Sequence, residues 1–313
     1  MRIVHLSDLH IFCPDAISFQ KIMNKRLLGL ANWYLKRKRQ VNYDIFPVLL
    51  ETLKNLAPEV ICITGDLTHL GMKKEFQKAE SLLNDMHSIA PVKLVPGNHD
   101  LYIKDSAVDM EKILGRFFSI TYTKKSPIKN AGENHLFPQI DVVEDIALIG
   151  LSSSYPCGLL KATGRLGKKQ LKKLSAALDE LSDKKSLNIV LIHHPSVSGL
   201  VKKRKELLDN KALEALRISK GIELFLFGHS HRRFICVDDD KAPKSLHLCA
   251  PSITSIKKAA EKRAGFYVLD IMAKKKPFEI KVQDLILSER GNRFVLNGQF
   301  SLNLQPKLPF SAC

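Results

Sequence analysis

The chain has 313 residues, of which 45% are hydrophobic, with only 16 glycines and 14 prolines. This composition excludes a disordered or fibrous protein and is sufficient for one large α/β domain or two small ones. Lysine and arginine outnumber aspartate and glutamate by 49 to 32, a formal net charge of +17. Such an excess favours anionic partners, namely nucleic acid, nucleotides or an acidic membrane surface, although basic helices are also often just solvated faces.

The six cysteines are scattered along the chain and form no CxxC pair. They therefore indicate neither a disulfide framework nor a cysteine zinc site, and they favour a reducing compartment. The first strand-like run follows Met1 directly, with no secretory signal before it. The sequence also has no uninterrupted apolar run of about 18 residues that could span a membrane. We therefore expect a cytoplasmic protein.

Apolar runs of strand length recur along the chain, and helix-period segments separate the earlier ones. The strand-like runs are RIVHLSD, VICITGD, VKLVPGNHD, IALIGLSS, NIVLIHHP, ELFLFGHSH, LHLCAPS and FYVLDI. The periodicity predicts helices at roughly 43–57, 72–90, 106–118, 166–183 and 205–220. The polar stretch 121–140 predicts a long loop. This order predicts an α/β protein with mixed sheets that are buried on both faces.

Five of the strand-like runs end in residue types that bind metal ions. The residues are Asp8 with His10, Asp66, Asn98 with His99, His193 with His194, and His229 with His231. A single histidine or aspartate at a strand end is usually a cap or turn residue, but five such ends are hard to explain as structure alone. Because loops at the carboxyl ends of strands gather at one edge of an α/β sheet, we expect these groups to converge. Carboxylates and imidazoles together suit two divalent ions such as Mn, Fe, Zn or Co.

The spacing within these motifs also fits a shared site. In Asp8-x-His10 and His229-x-His231, a period of two places both side chains on the same side of a chain that stays extended. A glycine precedes several candidate ligands, where a tight turn and a close backbone approach are needed. These glycines are Gly65, Gly97 and Gly228.

The strings SDLH, GDLTHLG, GNHD, HHP and GHSHR, in this order, resemble the motifs of the calcineurin-like metallophosphoesterases. The resemblance covers roughly residues 1–235. It implies a four-layer α-β-β-α sandwich, in which helices flank two mixed β-sheets, with a dinuclear metal centre. We predict a single domain over 1–313 with a basic amphipathic insertion at about 11–42.

The resemblance also implies a role for each motif residue. It places Asp8, His10 and His231 on one ion, Asn98, His193 and His229 on the other, and Asp66 as the bridge between them. His99 is expected to face the substrate, where it stabilises phosphoryl charge or protonates the leaving oxygen. Asp100 is expected to orient His99 by accepting its imidazole N–H. His194 and His69 are expected to be structural, and Arg232 is a candidate contact for a substrate phosphate.

With two metal ions, of which manganese is the favoured choice, hydrolysis of a phosphoester needs no nucleophilic side chain. Because every ligand position is filled, a catalytically silent scaffold is disfavoured. A nuclease is disfavoured as well, since the family's DNA exonucleases have a tryptophan between the aspartate and histidine of the first motif, where this chain has Leu9. We therefore do not expect nucleic acid as the partner.

Two substrate classes stay open. The strings SDLH, GNHD and GHSHR are similar to those of bacterial cyclic-nucleotide phosphodiesterases, which act on 3′,5′-cyclic nucleotides. The alternative is a nucleotide-linked lipid, as for the UDP-2,3-diacylglucosamine pyrophosphatases of lipid A synthesis. The insertion at 11–42 favours the second class, because it separates the first metal motif from the first core helix.

The insertion contains the segment NKRLLGLANWYLKRKRQ, with an apolar stripe that runs from Phe19 to Tyr34. A basic helix with tryptophan and leucine on its apolar side is typical of an interfacial anchor for anionic lipid. The alternative is a helix that packs on its own domain. We interpret Arg26 and Trp33 as candidate contacts with substrate or membrane, which implies a peripheral position on the inner face of the membrane.

Overall fold

The computed structural model describes residues 1–14, 25–120, 136–158, 160–182, 186–240, 243–272 and 277–306. Most of the loop predicted at 121–140 lies outside the described residues. The same is true of Phe19, Ile22 and Met23 in the apolar stripe of the insertion.

Twelve strands of the described residues form two mixed six-stranded sheets. The first sheet contains β1 (Arg2–Leu6), β2 (Val60–Ile63), β3 (Val92–Leu94), β10 (Gly265–Met272), β11 (Phe278–Leu287) and β12 (Phe294–Leu304). Its order is β12-β11-β10-β1-β2-β3, in which β1, β2 and β3 run parallel and β10 pairs antiparallel with β1.

The second sheet contains β4 (Gln139–Val143), β5 (Ile146–Gly150), β6 (Leu187–Leu191), β7 (Leu224–Phe227), β8 (Phe234–Asp238) and β9 (Ser245–Cys249). Its order is β4-β5-β6-β7-β9-β8. The four central strands are parallel, and the two edge strands β4 and β8 are antiparallel to their neighbours.

Six α-helices lie in the described residues. They are α1 (Arg26–Leu35), α2 (Ile45–Leu56), α3 (Lys73–His87), α4 (Lys104–Leu114), α5 (Gly167–Ser182) and α6 (Asn210–Leu216). Two short 3₁₀ turns, Arg37–Arg39 and Lys203–Lys205, also bear on the site described below. Within the described parts of the chain, no helix has both the length and the apolar character needed to cross a bilayer.

Alternate residues of the central strands pack into two different cores. On β6, Ile189 and Leu191 join a cluster that also contains Ile61 of the first sheet, so this cluster lies between the sheets. Val190, which points to the opposite face, joins a second cluster with Leu174 of α5. A strand that is buried on both faces reads as a continuous apolar run, as predicted. The two sheets with flanking helices confirm the predicted four-layer α-β-β-α sandwich.

The predicted helices before residue 200 are all present, with shifted ends. The helix predicted at 205–220 is shorter, because a 3₁₀ turn and a loop precede Asn210 and a π-turn follows Leu216. The pattern also did not predict β4, β8, β11 and β12 as separate strands. In β12 most residues between the two buried ends are exposed, so the apolar run that marks a central strand is missing there.

A buried ion pair joins the edge strands of the two sheets. Lys93 Nζ on β3 donates to Asp141 Oδ2 on β4, and also to the carbonyl of Gln139 at 3.2 Å. Burial lowers the pKa of Lys93, although the charge of Asp141 acts in the opposite direction. Because a buried charge is costly without its partner, this pair ties the two edges together and fixes how the halves of the sandwich meet.

Candidate metal centre

The predicted ligands follow the carboxyl ends of five strands, three in the first sheet and two in the second. Asp8 and His10 follow β1, Asp66 follows β2, Asn98 follows β3, His193 follows β6, and His229 and His231 follow β7. The structure brings these loops together in three groups of candidate ligand atoms, each within 4.8 Å; His10, His69 and His99 form one, and the predicted ligands form the other two. Of these two, the first contains Asp8, His10, Asp66 and His231, and the second contains Asp66, His193 and His229.

The first group is built around the carboxylate of Asp8. Its Oδ1 lies 3.4 Å from His10 Nε2 and 3.2 Å from His231 Nε2. The two imidazole Nε2 atoms are themselves only 3.1 Å apart, and His10 Nε2 is 3.8 Å from Asp66 Oδ2. Four donor atoms therefore surround one small volume, as the predicted first metal position requires.

The second group lies on the other side of Asp66. Its Oδ1 is 3.4 Å from His193 Nε2, which in turn is 3.3 Å from Asn98 Oδ1 and 3.2 Å from His229 Nδ1. Asp66 thus contacts both groups with different oxygens, as expected for a bridging carboxylate. Asn98 adds a neutral oxygen to this group.

Most of these residues have a left-handed backbone, which non-glycine residues rarely adopt. The φ angles are 57° at Asp8, 49° at His10, 53° at Asp66, 65° at His229 and 54° at His231. The expectation that Asp8-x-His10 and His229-x-His231 converge because the chain stays extended is therefore wrong. The strands end before the ligands, and these five residues are turned into the site by a strained backbone instead.

The glycines of these motifs are required by close packing of the loops. A Cβ on Gly97 would lie 2.1 Å from the backbone nitrogen of Asp66, and one on Gly228 would lie 2.5 Å from Asp8 Oδ2. Gly65 adopts a φ of 85° and would clash with the backbone of Gly97. The predicted close backbone approach is confirmed at all three positions.

Neighbouring groups hold the ligands in their orientations. Ser7 Oγ donates to Asp8 Oδ2 at 2.6 Å, and the backbone N–H of His229 donates to the same oxygen at 3.0 Å. The Nδ1–H of His193 donates to the carbonyl of Thr64 at 2.7 Å, because a carbonyl can only accept. Because this bond holds the proton on Nδ1, His193 can bind a metal ion through Nε2 once Nε2 has lost its own proton.

The donor set fits metal ions, because several of its buried atoms have no protein partner. Asp8 Oδ1, Asp66 Oδ2 and His229 Nε2 are buried without a hydrogen bond among the described residues. An orphaned buried acceptor is costly, and a cation would satisfy all three. Carboxylate oxygens with imidazole nitrogens are the ligands that Mn, Fe, Zn and Co accept. The cluster can therefore bind metal ions.

The charge states of the residues in the cluster agree with metal binding. Burial alone would raise the pKa of Asp8 and of Asp66, but the surrounding histidines outweigh it and hold both well below their usual value. Burial alone would lower the pKa of His193, but the charges of Asp66 and Asp8 outweigh it and raise the pKa to about 9. In the metal-free protein the site therefore keeps two ionised carboxylates and a proton on His193.

His99 lies beside the cluster, and its expected support by Asp100 is wrong. The Nδ1–H of His99 donates to the carbonyl of His69 at 2.6 Å. Asp100 instead accepts backbone N–H groups from Gly97 at 2.9 Å and Thr68 at 2.9 Å, so it joins the β2 and β3 loops. Burial and the charge of Asp66 raise its pKa to about 6. The orienting group of His99 is thus a carbonyl, which a sequence does not display.

Two further histidines border the cluster. The Nε2–H of His194 donates to the carbonyl of Ala162 at 3.2 Å, and its Nδ1 accepts from Ser153 Oγ at 2.8 Å, consistent with the structural role expected for it. The Nε2 of His69 lies 3.2 Å from the carbonyl of Gly29 on α1. Its ring also stacks on that of His99, with centroids 5.4 Å apart. His69 therefore connects α1 to the site.

A cleft of about 680 Å³ opens over the ligands and is strongly basic. Of the described residues that line it, Asp66 is the one carboxylate. The lysines and arginines in its lining are Lys25, Lys36, Arg37, Lys161, Arg204, Lys205, Arg232, Lys257 and Lys262. Arg232 lines this cleft, and its contact with a substrate phosphate stays a prediction. Lys161, Arg204, Lys205, Lys257 and Lys262 were missed, because a lysine or arginine in a loop carries no sequence signal that separates a cleft from a solvated face.

Arg26 and Trp33 do not occupy the positions expected of substrate or membrane contacts. Arg26 is 7% exposed and donates to the carbonyls of Leu70 and Gly71. Trp33 is 6% exposed and packs on Phe12, with ring centroids 4.3 Å apart. Both side chains point into the protein and attach α1 to it, so the expectation for them is corrected.

Metal binding should release a proton and should strengthen as the pH rises. With a pKa of about 9, His193 is protonated at pH 7.5, and an ion must displace this proton to reach Nε2. His231, whose pKa is lowered to about 4 by burial, is already neutral and releases none. Titration calorimetry with Mn²⁺ at pH 7.5, in buffers of different ionisation enthalpy, should show release of about one proton.

The same titration between pH 7 and 9 should show affinity increasing by up to about tenfold per pH unit and levelling off above the pKa of His193. Binding with no proton release at pH 7.5, or with affinity independent of pH over this range, would contradict the assignment of His193.

The family model for calcineurin-like phosphoesterases matches residues 1–233 of the chain. Among solved structures, a dimetal phosphatase from Danio rerio is similar with a TM-score of 0.63 and 11% identity, over 97% of this chain and 99% of that one. PhoD is similar with a TM-score of 0.60 and 10% identity, over 97% of this chain and 70% of that one. The purple acid phosphatase PPD1 from yellow lupin seeds has a TM-score of 0.57 and 10% identity, over 96% of this chain and 53% of that one.

At these identities the solved structures show a shared fold. No curated protein sequence matches the chain. The family model covers most of the chain and all five ligand-bearing loops. The chain therefore belongs to the calcineurin-like phosphoesterase family and is a metal-dependent phosphoester hydrolase.

Proposed function

We propose that this hydrolase cleaves a phosphodiester or pyrophosphate bond in a nucleotide-linked lipid such as UDP-2,3-diacylglucosamine, in lipid A synthesis, with manganese as its metal. The observation that carries this proposal is the combination of two surfaces at one opening. A basic cleft leads to the metal centre, and exposed leucines lie at its mouth. A substrate with several phosphate charges and an acyl chain matches both surfaces.

The charge of the cleft supports a substrate with more than one negative charge. Nine basic side chains face one carboxylate among its described lining residues. Burial lowers the pKa of Lys257, and the positive charges of Lys262, Arg37 and Lys36 lower it further. These cations therefore repel one another in the free protein, and an anionic ligand relieves that repulsion. A 3′,5′-cyclic nucleotide, with a single phosphate charge, would neutralise only a small part of the positive charge in the cleft.

The apolar residues at the mouth support a lipid portion. Leu28 and Leu160 both line the cleft, and they are 47% and 74% exposed. Neither leucine belongs to a hydrophobic cluster of the described residues. Burying part of their surface against an acyl chain would contribute about 25 cal/mol per Å² of apolar surface removed from water. A purely polar nucleotide would leave them in water.

The chain's own residues would position the substrate for attack. When bound, the two metal ions supply an activated water and neutralise charge on the phosphoryl oxygens. His99 lines the same cleft, and its bond to the carbonyl of His69 fixes Nδ1 as a donor and leaves Nε2 free for the substrate. Burial lowers the pKa of His99, so its imidazole is neutral in the free protein. The negative charge of a bound phosphate would raise that pKa and let Nε2 carry a proton for the leaving oxygen.

Replacing His99 should impair turnover and spare metal binding. His99→Asn keeps a short polar side chain but removes Nε2, so kcat should fall by about 10²- to 10⁴-fold. Metal content, measured by mass spectrometry, should match that of the unchanged protein. His87→Asn is the matched control, because His87 is exposed and does not line the cleft. Full turnover by His99→Asn would exclude the proposed role.

The substrate class is tested with a panel of phosphoesters and Mn-loaded protein. We expect kcat/KM to be highest for UDP-2,3-diacylglucosamine, with UMP as a product, and at least about tenfold lower for cyclic AMP, for bis(p-nitrophenyl) phosphate and for single-stranded DNA. Preference for cyclic AMP would identify a cyclic-nucleotide phosphodiesterase, and preference for DNA would identify a nuclease. Either result would overturn the proposed substrate.

The outer face of α1 is the proposed membrane contact. Arg26, Gly29 and Trp33 are the buried residues of this helix and form its inner face. The outer face carries Leu27, Leu28, Tyr34 and Leu35, which are 50%, 47%, 52% and 82% exposed. Their spacing puts them on one side of the helix, and the exposed basic residues Lys38 and Arg39 follow in the next turn. An exposed apolar face beside positive charge is suited to a bilayer with anionic lipids.

Removing outer leucines should release the protein from membranes. In co-sedimentation with phosphatidylglycerol vesicles, Leu27→Ser with Leu35→Ser should lower the partition coefficient by about tenfold or more, because two apolar side chains no longer enter the interface. Met272→Ser with Leu296→Ser is the matched control, since these residues are also about half exposed but lie in the first sheet. Equal vesicle binding by both double variants would contradict the assignment of this surface.

A further inference from the structure

We propose that Arg37 and Lys205 form a clamp that binds a second phosphate group of the substrate, beside the phosphate that reacts at the metal centre. The inference rests on the proposed function in one respect, namely that the substrate carries two linked phosphates. It assigns selectivity for a diphosphate to two side chains that contribute no metal ligand.

The two residues come from opposite halves of the sandwich. Arg37 begins the 3₁₀ turn that follows α1, within the insertion after β1. Lys205 ends the 3₁₀ turn Lys203–Lys205, which lies between strand β6 of the second sheet and helix α6. Both nevertheless line the cleft that contains Asp66 and the other ligands. A phosphate between them would thus be held by both halves of the protein.

Both side chains are half-buried cations without an acceptor. Among the described residues, neither Arg37 nor Lys205 forms a side-chain hydrogen bond or ion pair. Other buried arginines of the described residues, by contrast, have carboxylate partners. Arg217 bonds to Glu214 and to Asp238, and Arg233 bonds to Asp284. A partly desolvated cation with no acceptor is costly, and its free donors indicate a site for an anion.

The electrostatics show that the two cations act on each other and on the metal cluster. Burial lowers the pKa of Lys205, the positive charge of Arg37 lowers it further, and Asp66 and Asp8 act in the opposite direction. Burial also lowers the pKa of Arg37, again opposed by Asp66 and Asp8. Both side chains are therefore within electrostatic reach of the reacting phosphate. Their mutual repulsion decreases when a phosphate lies between them.

Other cations of the cleft are less suited to this role. Lys36, Lys161 and Arg232 are exposed, so water screens their charges and they act mainly by steering anions into the cleft. Lys262 already pairs with Glu261 at 3.6 Å. Arg204 already donates to the carbonyl of Leu160 at 3.1 Å, and Lys25 lies 4.7 Å above the ring of Tyr102. Arg37 adds the planar fork of donors that binds two phosphate oxygens at once.

The clamp is tested with product-like inhibitors, independently of the lipid. The reporter reaction is hydrolysis of bis(p-nitrophenyl) phosphate by Mn-loaded protein in an excess of Mn²⁺. UDP and UMP are compared as competitive inhibitors, since UDP carries one more phosphate. Titration calorimetry with the same two ligands gives their dissociation constants without relying on turnover. Each measurement is made on Arg37→Gln, on Lys205→Gln and on the double variant.

We expect Arg37→Gln and Lys205→Gln each to weaken UDP binding by about tenfold or more, as the loss of a hydrogen bond to a charged group does, and to change UMP binding by less than about twofold. Arg290→Gln and Lys203→Gln remove exposed cations that do not line the cleft, so they should change the binding of neither UDP nor UMP. Melting temperature and metal content report whether each variant folds and keeps its centre.

Two results would overturn the clamp. Equal weakening of UDP and UMP would show that the two cations act only through general positive charge, and unchanged UDP binding in the double variant would show that they do not contact the second phosphate. Neither result depends on the lipid. Failure to hydrolyse UDP-2,3-diacylglucosamine would overturn the proposed function while the UDP-to-UMP ratio could still be measured.

Discussion

The structure depends on the burial of two carboxylates where the two sheets meet. Asp8 and Asp66 are fully buried or nearly so, and each stays ionised because histidines surround it. Histidines from both sheets stabilise this charge, among them His193 from the second sheet and His10 from the first. Asp8 and Asp66 follow strands of the first sheet, whereas His193 and His231 follow strands of the second. The cluster therefore requires the sandwich to be assembled, and a bound cation would in turn hold the two halves together.

The backbone of the loops shows what this convergence costs. Five ligand residues, including Asp8 and His229, have left-handed φ angles, each of which costs of order 1–3 kcal/mol. Loops can hold such conformations when the elements on both sides are rigid. Here each loop begins at a strand buried on both faces, and the edge strands are tied by the ion pair of Lys93 and Asp141. The large core thus supports strain that is confined to the site.

The fold class and the convergence of the candidate metal ligands could be predicted from sequence because both depend on local patterns. A buried parallel strand is a continuous apolar run, and a ligand that follows it directly is visible as a polar residue at its end. The predicted cause of convergence within the ligand pairs was wrong. Asp8 and His10 face the site because their backbone is left-handed, not because the chain stays extended. Strands without an apolar run, such as β12, could not be predicted from the same pattern.

The rest of the site could not be predicted because it depends on where distant segments meet. Asp100 is next to His99 in sequence but bonds to the backbone of the β2 loop, and a carbonyl of that loop orients His99 instead. Arg37 and Lys205 are separated by more than half of the chain and belong to basic runs that are usually solvated. Only the packing of both sheets shows that these two cations share a cleft with the ligands.

Helix α1 and the turn Arg37–Arg39 that follows it connect the two proposed contacts with substrate. Gly29 lets α1 approach Leu70 and Tyr102 closely, since a Cβ there would lie 2.6 Å from each, and Trp33 packs into the small core beneath the helix. This inner face fixes α1 against the loop of His69, which orients His99. The outer face is then free to present leucines, and the turn that follows places Arg37 in the cleft. Under the proposed function, the insertion thus contributes Leu28 and Arg37 to the selection of a lipid chain and a second phosphate, beside Leu160 and Lys205 from the other half of the protein. The chemistry belongs to loops of the sandwich that the insertion does not contain.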